Sequence, residues 1–230
     1  MQKGLDLLLE KYSVDTKATL KNNGKTLEIN GETYPVLPYE SERRFIELRN
    51  LVLNKRVGNM CTYRIGHTAQ KGTDLFELLT REIGILEFTV DSKVKEIFAI
   101  KSENAMNCIA ETENGCVCTL ELAATLNGTP NVDKHEIITD NGVACDRVVD
   151  TQTPQSSIYV YGKENKTFTD TDAELYGLSE IEINTVRNAF LMAKCVDTRI
   201  ANKQKAEHIA KVLEAAKQSL DTLCNVVVEG

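Results

Sequence analysis

The chain has no apolar run approaching the roughly 20 residues that a membrane-crossing helix requires, so a helical span is not expected. Concentrated positive charge is missing as well: 27 Lys and Arg stand against 34 Asp and Glu, a formal charge of -7. Such a surface repels nucleic acid unless a local basic patch overrides the balance. The densest basic stretch, Lys203 to Lys217, reads as the solvated face of a helix. The opening residues MQKGLDLLLEKYS interrupt a short apolar run with acids, which does not fit a secretory leader. G-x-G-x-x-G, P-loop, G-x-S-x-G and H-E-x-x-H patterns are all absent.

Seven cysteines are present, an odd number in a chain of 230 residues. With no leader in view they are expected as reduced thiols in a cytoplasmic protein, behaving as small hydrophobes. Cys116-x-Cys118, with Cys108 near in sequence, supplies too few ligands for a tetrahedral zinc site, and no metal is expected.

The first forty residues differ in pattern from the rest. Leu5, Leu8 and Leu9 make one helical stripe, and Asn23-Gly24 and Asn30-Gly31 then punctuate short extended runs. Asn-Gly suits a tight hairpin because both central residues of a type I′ turn need positive φ. Residues 1–38 are therefore expected as a helix plus β-meander appendage, and 39–230 as the main domain. Helical spacing recurs over 40–54, 74–90, 179–195 and 206–220, while an interior glycine, Gly84, weakens the second of these by about 1 kcal/mol relative to alanine.

A strand is expected from Val57 to Ile65, then a loop holding His67 between Gly66 and Gly72. Further strands are VKEIFAIK, AMNCIAETE, CVCTLELAA, KHEIITD, VACDRVVD, SSIYVYG and a terminal run at 225–228. Along Cys116–Ala124 the alternation puts Cys116, Cys118, Leu120 and Leu122 on one side and Val117, Thr119, Glu121 and Ala123 on the other. The fold class is α+β: a mostly antiparallel sheet with helices packed on one face, including those at 179–195 and 206–220. The other face, with Val117, Ala123, Val143 and Val149, is left open for homo-oligomerisation or as a mixed surface.

The segments PYESERRFIELRNLVLNKRVG, AETENGCVCTLELAATL and KAEHIAKVLEAAKQSLDTLCNVVVEG, in that order, resemble the C-terminal α+β domain of the Gfo/Idh/MocA oxidoreductase family, from roughly Pro38 to Gly230. The resemblance implies an NAD(P)-dependent enzyme of sugar-like substrates whose nucleotide-binding domain comes first. Only MQKGLDLLLEKY could echo the tail end of that first domain, and its Glu-Lys-Pro tripeptide is missing. NAD(P) is accordingly expected only from a partner chain, such as a full-length oxidoreductase.

The family's C-terminal domain carries an Asp and a His four residues apart on a helix. Ungapped alignment places Leu78 and Glu82 at those positions. A leucine moves no protons, so Glu82 is the candidate base, through a pKa raised by desolvation, while Arg81 beside it could equally favour the ionised form; the other reading is an ordinary polar helix residue. Arg44 falls where relatives place an arginine near the substrate, and Arg81 and His67 are the other substrate-binding candidates; each has an equally simple reading as a solvated side chain. Lys134-His135 reads either as approaching a ligand or as a strand start, and His208 as an inert residue on the polar side of a helix. Three functions remain open: a subunit that is non-catalytic alone, the substrate-binding half of a two-chain enzyme, and a ligand-binding module without chemistry.

Overall fold

The computed structural model describes residues 1–56, 58–146, 158–160, 166–168 and 172–229, with the two three-residue strands defined by backbone only. The elements in chain order are α1 (Gln2–Lys11), β1 (Ala18–Lys21), β2 (Thr26–Ile29), β3 (Glu32–Pro35), α2 (Arg43–Leu53), β4 (Met60–Gln70) and α3 (Leu75–Val90). There follow β5 (Val94–Lys101), β6 (Ala105–Thr112), β7 (Val117–Leu126), β8 (Val132–Thr139), β9 (Gly142–Cys145), β10 (Ile158–Val160) and β11 (Lys166–Phe168). The chain ends with α4 (Glu180–Lys194), α5 (Val196–Thr222) and β12 (Val226–Val227). Two compact units result: residues 1–42 with 148–203, and residues 43–147 with 204–230.

In the first unit β1, β2 and β3 form an antiparallel meander. Asn30 and Gly31, both at positive φ (53° and 81°), make the two-residue turn between β2 and β3, the geometry that this dipeptide favours. Leu5, Leu8, Leu27 and Ile29 are buried in one cluster with Val186, Ala189 and Met192. That cluster corrects one expectation. The apolar stripe of α4 was assigned to the large sheet, whereas it is α1 and the meander that it covers. The stripe dictates burial but not the partner, and so residues 148–203 join the N-terminal segment, a grouping that the division into 1–38 and 39–230 does not contain. Glu182 accepts from the Ser179 backbone N–H at 2.9 Å and starts α4 as a capping box.

The second unit is built on a seven-stranded sheet of order β12-β5-β6-β7-β4-β8-β9. Every neighbouring pair is antiparallel except β4 and β7, so the α+β class with a mostly antiparallel sheet is observed. Ile97, Ala99, Cys108, Ala110, Cys118, Leu120, Tyr63, Ile65 and Ile137 are buried on one side. On the other side Ile109 is 51% and Val117 43% exposed, as alternation requires. Helix α3 lies against β4, β6 and β7. It begins at Asp74, whose side chain accepts from Phe76 N–H at 2.9 Å, and runs through Gly84 between the fully buried Ile83 and Ile85. Tertiary burial there outweighs glycine's poor propensity.

Several boundaries differ from expectation. Strand β4 continues through Gly66 to Gln70, because β7 and β8 hydrogen-bond to both its edges beyond that glycine. Val57, the expected start, and Val149 on the open face lie outside the described residues. The segment SSIYVYG contributes β10, which pairs with β11 in a separate two-stranded ladder.

Candidate functional site

Within the second unit, β4, β8 and α3 direct ionisable side chains to one place. The inward series of β4 is Tyr63, Ile65, His67 and Ala69, all buried. Antiparallel register sets His67 opposite Asp133 and Ile65 opposite His135 of β8. Glu82, fully buried on α3, sits between the two histidines: its Oε1 lies 2.7 Å from His67 Nδ1 and its Oε2 2.9 Å from His135 Nε2. His135 Nδ1 is 2.6 Å from Asp146 Oδ2, and Asp146 Oδ1 also accepts from the His135 backbone N–H at 2.8 Å.

Two arginines close the cluster from its solvent side. Arg44 NH1 and NH2 donate to the two oxygens of Asp133 at 2.7 and 2.8 Å, and NH1 also reaches Asp146 at 3.1 Å. Arg81 donates to Asp133 at 3.0 Å and to Glu82. Phe45 makes the apolar wall. Its ring stands edge-on to His135 with centroids 4.8 Å apart, and the Arg44 guanidinium lies 4.4 Å from its centroid.

The charges follow from this geometry. A neutral imidazole has a single N–H, yet both nitrogens of His135 face carboxylate oxygens, so His135 is an imidazolium. Burial opposes that charge, but the bonds to Asp146 and Glu82 prevail and raise its pKa to about 8. Burial likewise favours a neutral Glu82, but His135, His67 and Arg81 together hold its carboxyl well below the usual range. Asp133, although partly desolvated, is brought down to about 2 by Arg44 and Arg81. Three carboxylates thus face two guanidiniums and one imidazolium, and the cluster is balanced.

The four residues singled out from sequence, Arg44, His67, Arg81 and Glu82, therefore meet. Their settings differ from the expected ones. His67 belongs to a strand and not to a loop, and Glu82 is buried with its carboxyl held ionised, Arg81 among its partners, instead of being a desolvated base with a raised pKa. Leu78, the other position of the expected pair, is buried. The sequence gives no role to Asp133 or Asp146 and holds His135 between a ligand contact and a strand start. Its alternation with Asp133 and Ile137 along β8 was the available signal. Lys134 instead pairs with Glu136 on the same strand, and His208, expected to be solvated, is largely buried with Nε2 3.0 Å from Glu87.

Among the described residues, His67, Glu82 and Asp133 bring possible metal-ligand atoms within 4.8 Å of one another, and so do Asp133, His135 and Asp146. Their carboxylate oxygens already accept from N–H groups, and two arginines supply the positive charge. This donor set fits an ion network better than a metal seat. Elsewhere, Cys116 and Cys118 are buried with Sγ atoms 3.6 Å apart as free thiols. No described helix is long and apolar enough to cross a membrane.

No family model matches the chain, and no curated protein matches it. Solved structures do. A probable dehydrogenase from Thermotoga maritima superposes with a TM-score of 0.60 at 12% identity over 84% of this chain and 63% of its own. A putative myo-inositol dehydrogenase from Sinorhizobium meliloti 1021 gives 0.59 at 11% over 84% and 64%. Scyllo-inositol dehydrogenase from Lactobacillus casei, determined with NAD(H) and scyllo-inositol, gives 0.58 at 11% over 84% and 63%. The chain spans less than two-thirds of the length of these proteins. What they share with it is the fold.

Proposed function

We propose that this chain is a dehydrogenase-like subunit that bears the substrate-side domain, performs no redox turnover alone, and works on sugar-like compounds with NAD(P) brought by a partner polypeptide such as a full-length oxidoreductase. The observation that carries the reading is the fate of the two helix positions where the resembling family keeps an acid–base pair. Leu78 has no proton to give, and Glu82 is bound by three donors that make it a poor proton acceptor at neutral pH. The 230 residues also contain no glycine-rich turn to receive a pyrophosphate. Self-association through the open sheet face, in a cytoplasmic setting, completes the reading.

The convergence of Arg44, His67, Arg81 and Glu82 on one place favours a partner-dependent enzyme over a ligand-binding module. Calorimetric titration of the chain alone with NAD and with NADP should give no saturable heat. Stoichiometric binding of either dinucleotide by this polypeptide would overturn the proposal. Mixed with a dinucleotide-binding homologue that co-purifies with it, the chain should support NAD(P)-dependent oxidation of polyols.

A further inference from the structure

His67 and His135 flank the same carboxylate but are not equivalent. His135 has both nitrogens committed and a side chain with no exposure. His67 spends only Nδ1. Ionised Glu82 can only accept, so the hydrogen in that 2.7 Å contact belongs to Nδ1. In a neutral ring the lone pair is then on Nε2, on the edge turned away from Glu82. The His67 side chain keeps 6% exposure.

The line Asp146, His135, Glu82, His67 alternates carboxylate and imidazole. Asp146 and Glu82 share the His135 imidazolium, and the ionised Glu82 turns its Oε1 to His67. A carboxylate on one imidazole nitrogen fixes the tautomer and stabilises the cation formed when the other takes a proton. We propose that His67 Nε2 is the proton acceptor of this site, with Glu82 its positioning residue and the His135–Asp146 pair the support that holds Glu82. The acceptor thus sits on β4 instead of α3. Because Asp133, Asp146 and Glu82 together balance Arg44, Arg81 and the His135 imidazolium, no surplus positive charge awaits an anion, and the ligand class that fits is a neutral hydroxyl compound.

This deepens the partner-dependent reading and rests on it for the redox step. The ligand's O–H bond breaks and its proton goes to Nε2. The oxygen's electron pair forms the carbonyl as hydride leaves the adjacent carbon for an oxidised nicotinamide supplied by the partner, which is thereby reduced.

The acceptor itself can be tested without a partner. Diethyl pyrocarbonate acylates an unprotonated imidazole nitrogen, and the chain has only three histidines to map. At pH 7.5 His67 should label at least tenfold faster than His135, and Glu82→Gln should slow His67 severalfold. Nitrogen NMR of the unsubstituted protein should show the neutral ring of His67 as the Nδ1–H tautomer, a readout that survives if the variant folds poorly. A neutral ring with its hydrogen on Nε2, or His67 no more reactive than His135, would overturn the assignment. Where the two-chain enzyme turns over, His67→Asn should lower kcat at least a hundredfold with KM within about threefold. Absence of turnover with unsubstituted protein strikes the functional reading, whereas an unreactive His67 strikes this one.

Discussion

The environment of His135 specifies its charge through contacts on both ring nitrogens, and removing that ring should be costly. His135→Ala would leave Glu82 and Asp146 as buried carboxylates with fewer donors, a loss of about 3–5 kcal/mol, read as a lower urea midpoint at unchanged slope. The same contacts predict a pH dependence. The folded pKa, about 8, lies above the ordinary 6.5, so the stabilisation is fully present below pH 6.5 and disappears as pH rises through 8. Its size is on the order of 2 kcal/mol. Urea denaturation at pH 6 and pH 9 should show this decline in the parent protein and a smaller one in His135→Ala; equal declines in both would refute the assignment. At this scale the sequence revealed the participants unevenly. Glu82 and Arg44 stand out through the family resemblance, with Arg81 and His67 near them in sequence, whereas Asp133 and Asp146 become partners only through strand register, which residue types alone do not encode.

Elements were easier to read than their neighbours. Periodicity located α1, α3, α4 and most strands, because an apolar stripe or an alternation is written locally. The end of β4 was missed because Gly66 reads as a break, while two flanking strands in fact carry the ladder past it. The destination of α4 was missed for a related reason: its stripe fits any apolar surface, and α1 with the meander supplies one. If that packing is right, Leu8→Ala should cost about 2–5 kcal/mol, since Leu8 is almost fully buried in the cluster containing Val186 and Met192. A loss below 0.5 kcal/mol in chemical denaturation would mean that α1 does not depend on this contact.

For the whole molecule, the open face of the sheet is the feature that composition and alternation foretold best. Ile109 and Val117 stand exposed there beside polar neighbours such as Thr119 and Glu121, and burial against a second copy would remove their apolar area from water. Ile109→Glu should shift the protein toward monomer in sedimentation equilibrium, with its circular dichroism spectrum retained; an unchanged mass would place any self-association elsewhere. The parallel pairing of β4 with β7 has a different consequence, one of timing. Strands that run the same way cannot close through a hairpin, so β4 acquires this neighbour only after the chain from Lys71 to Cys116 has been threaded back past it. Contacts so distant in sequence slow folding, and in pulsed deuterium labelling during refolding the amides of β4 should become protected later than those of the β5–β6 hairpin.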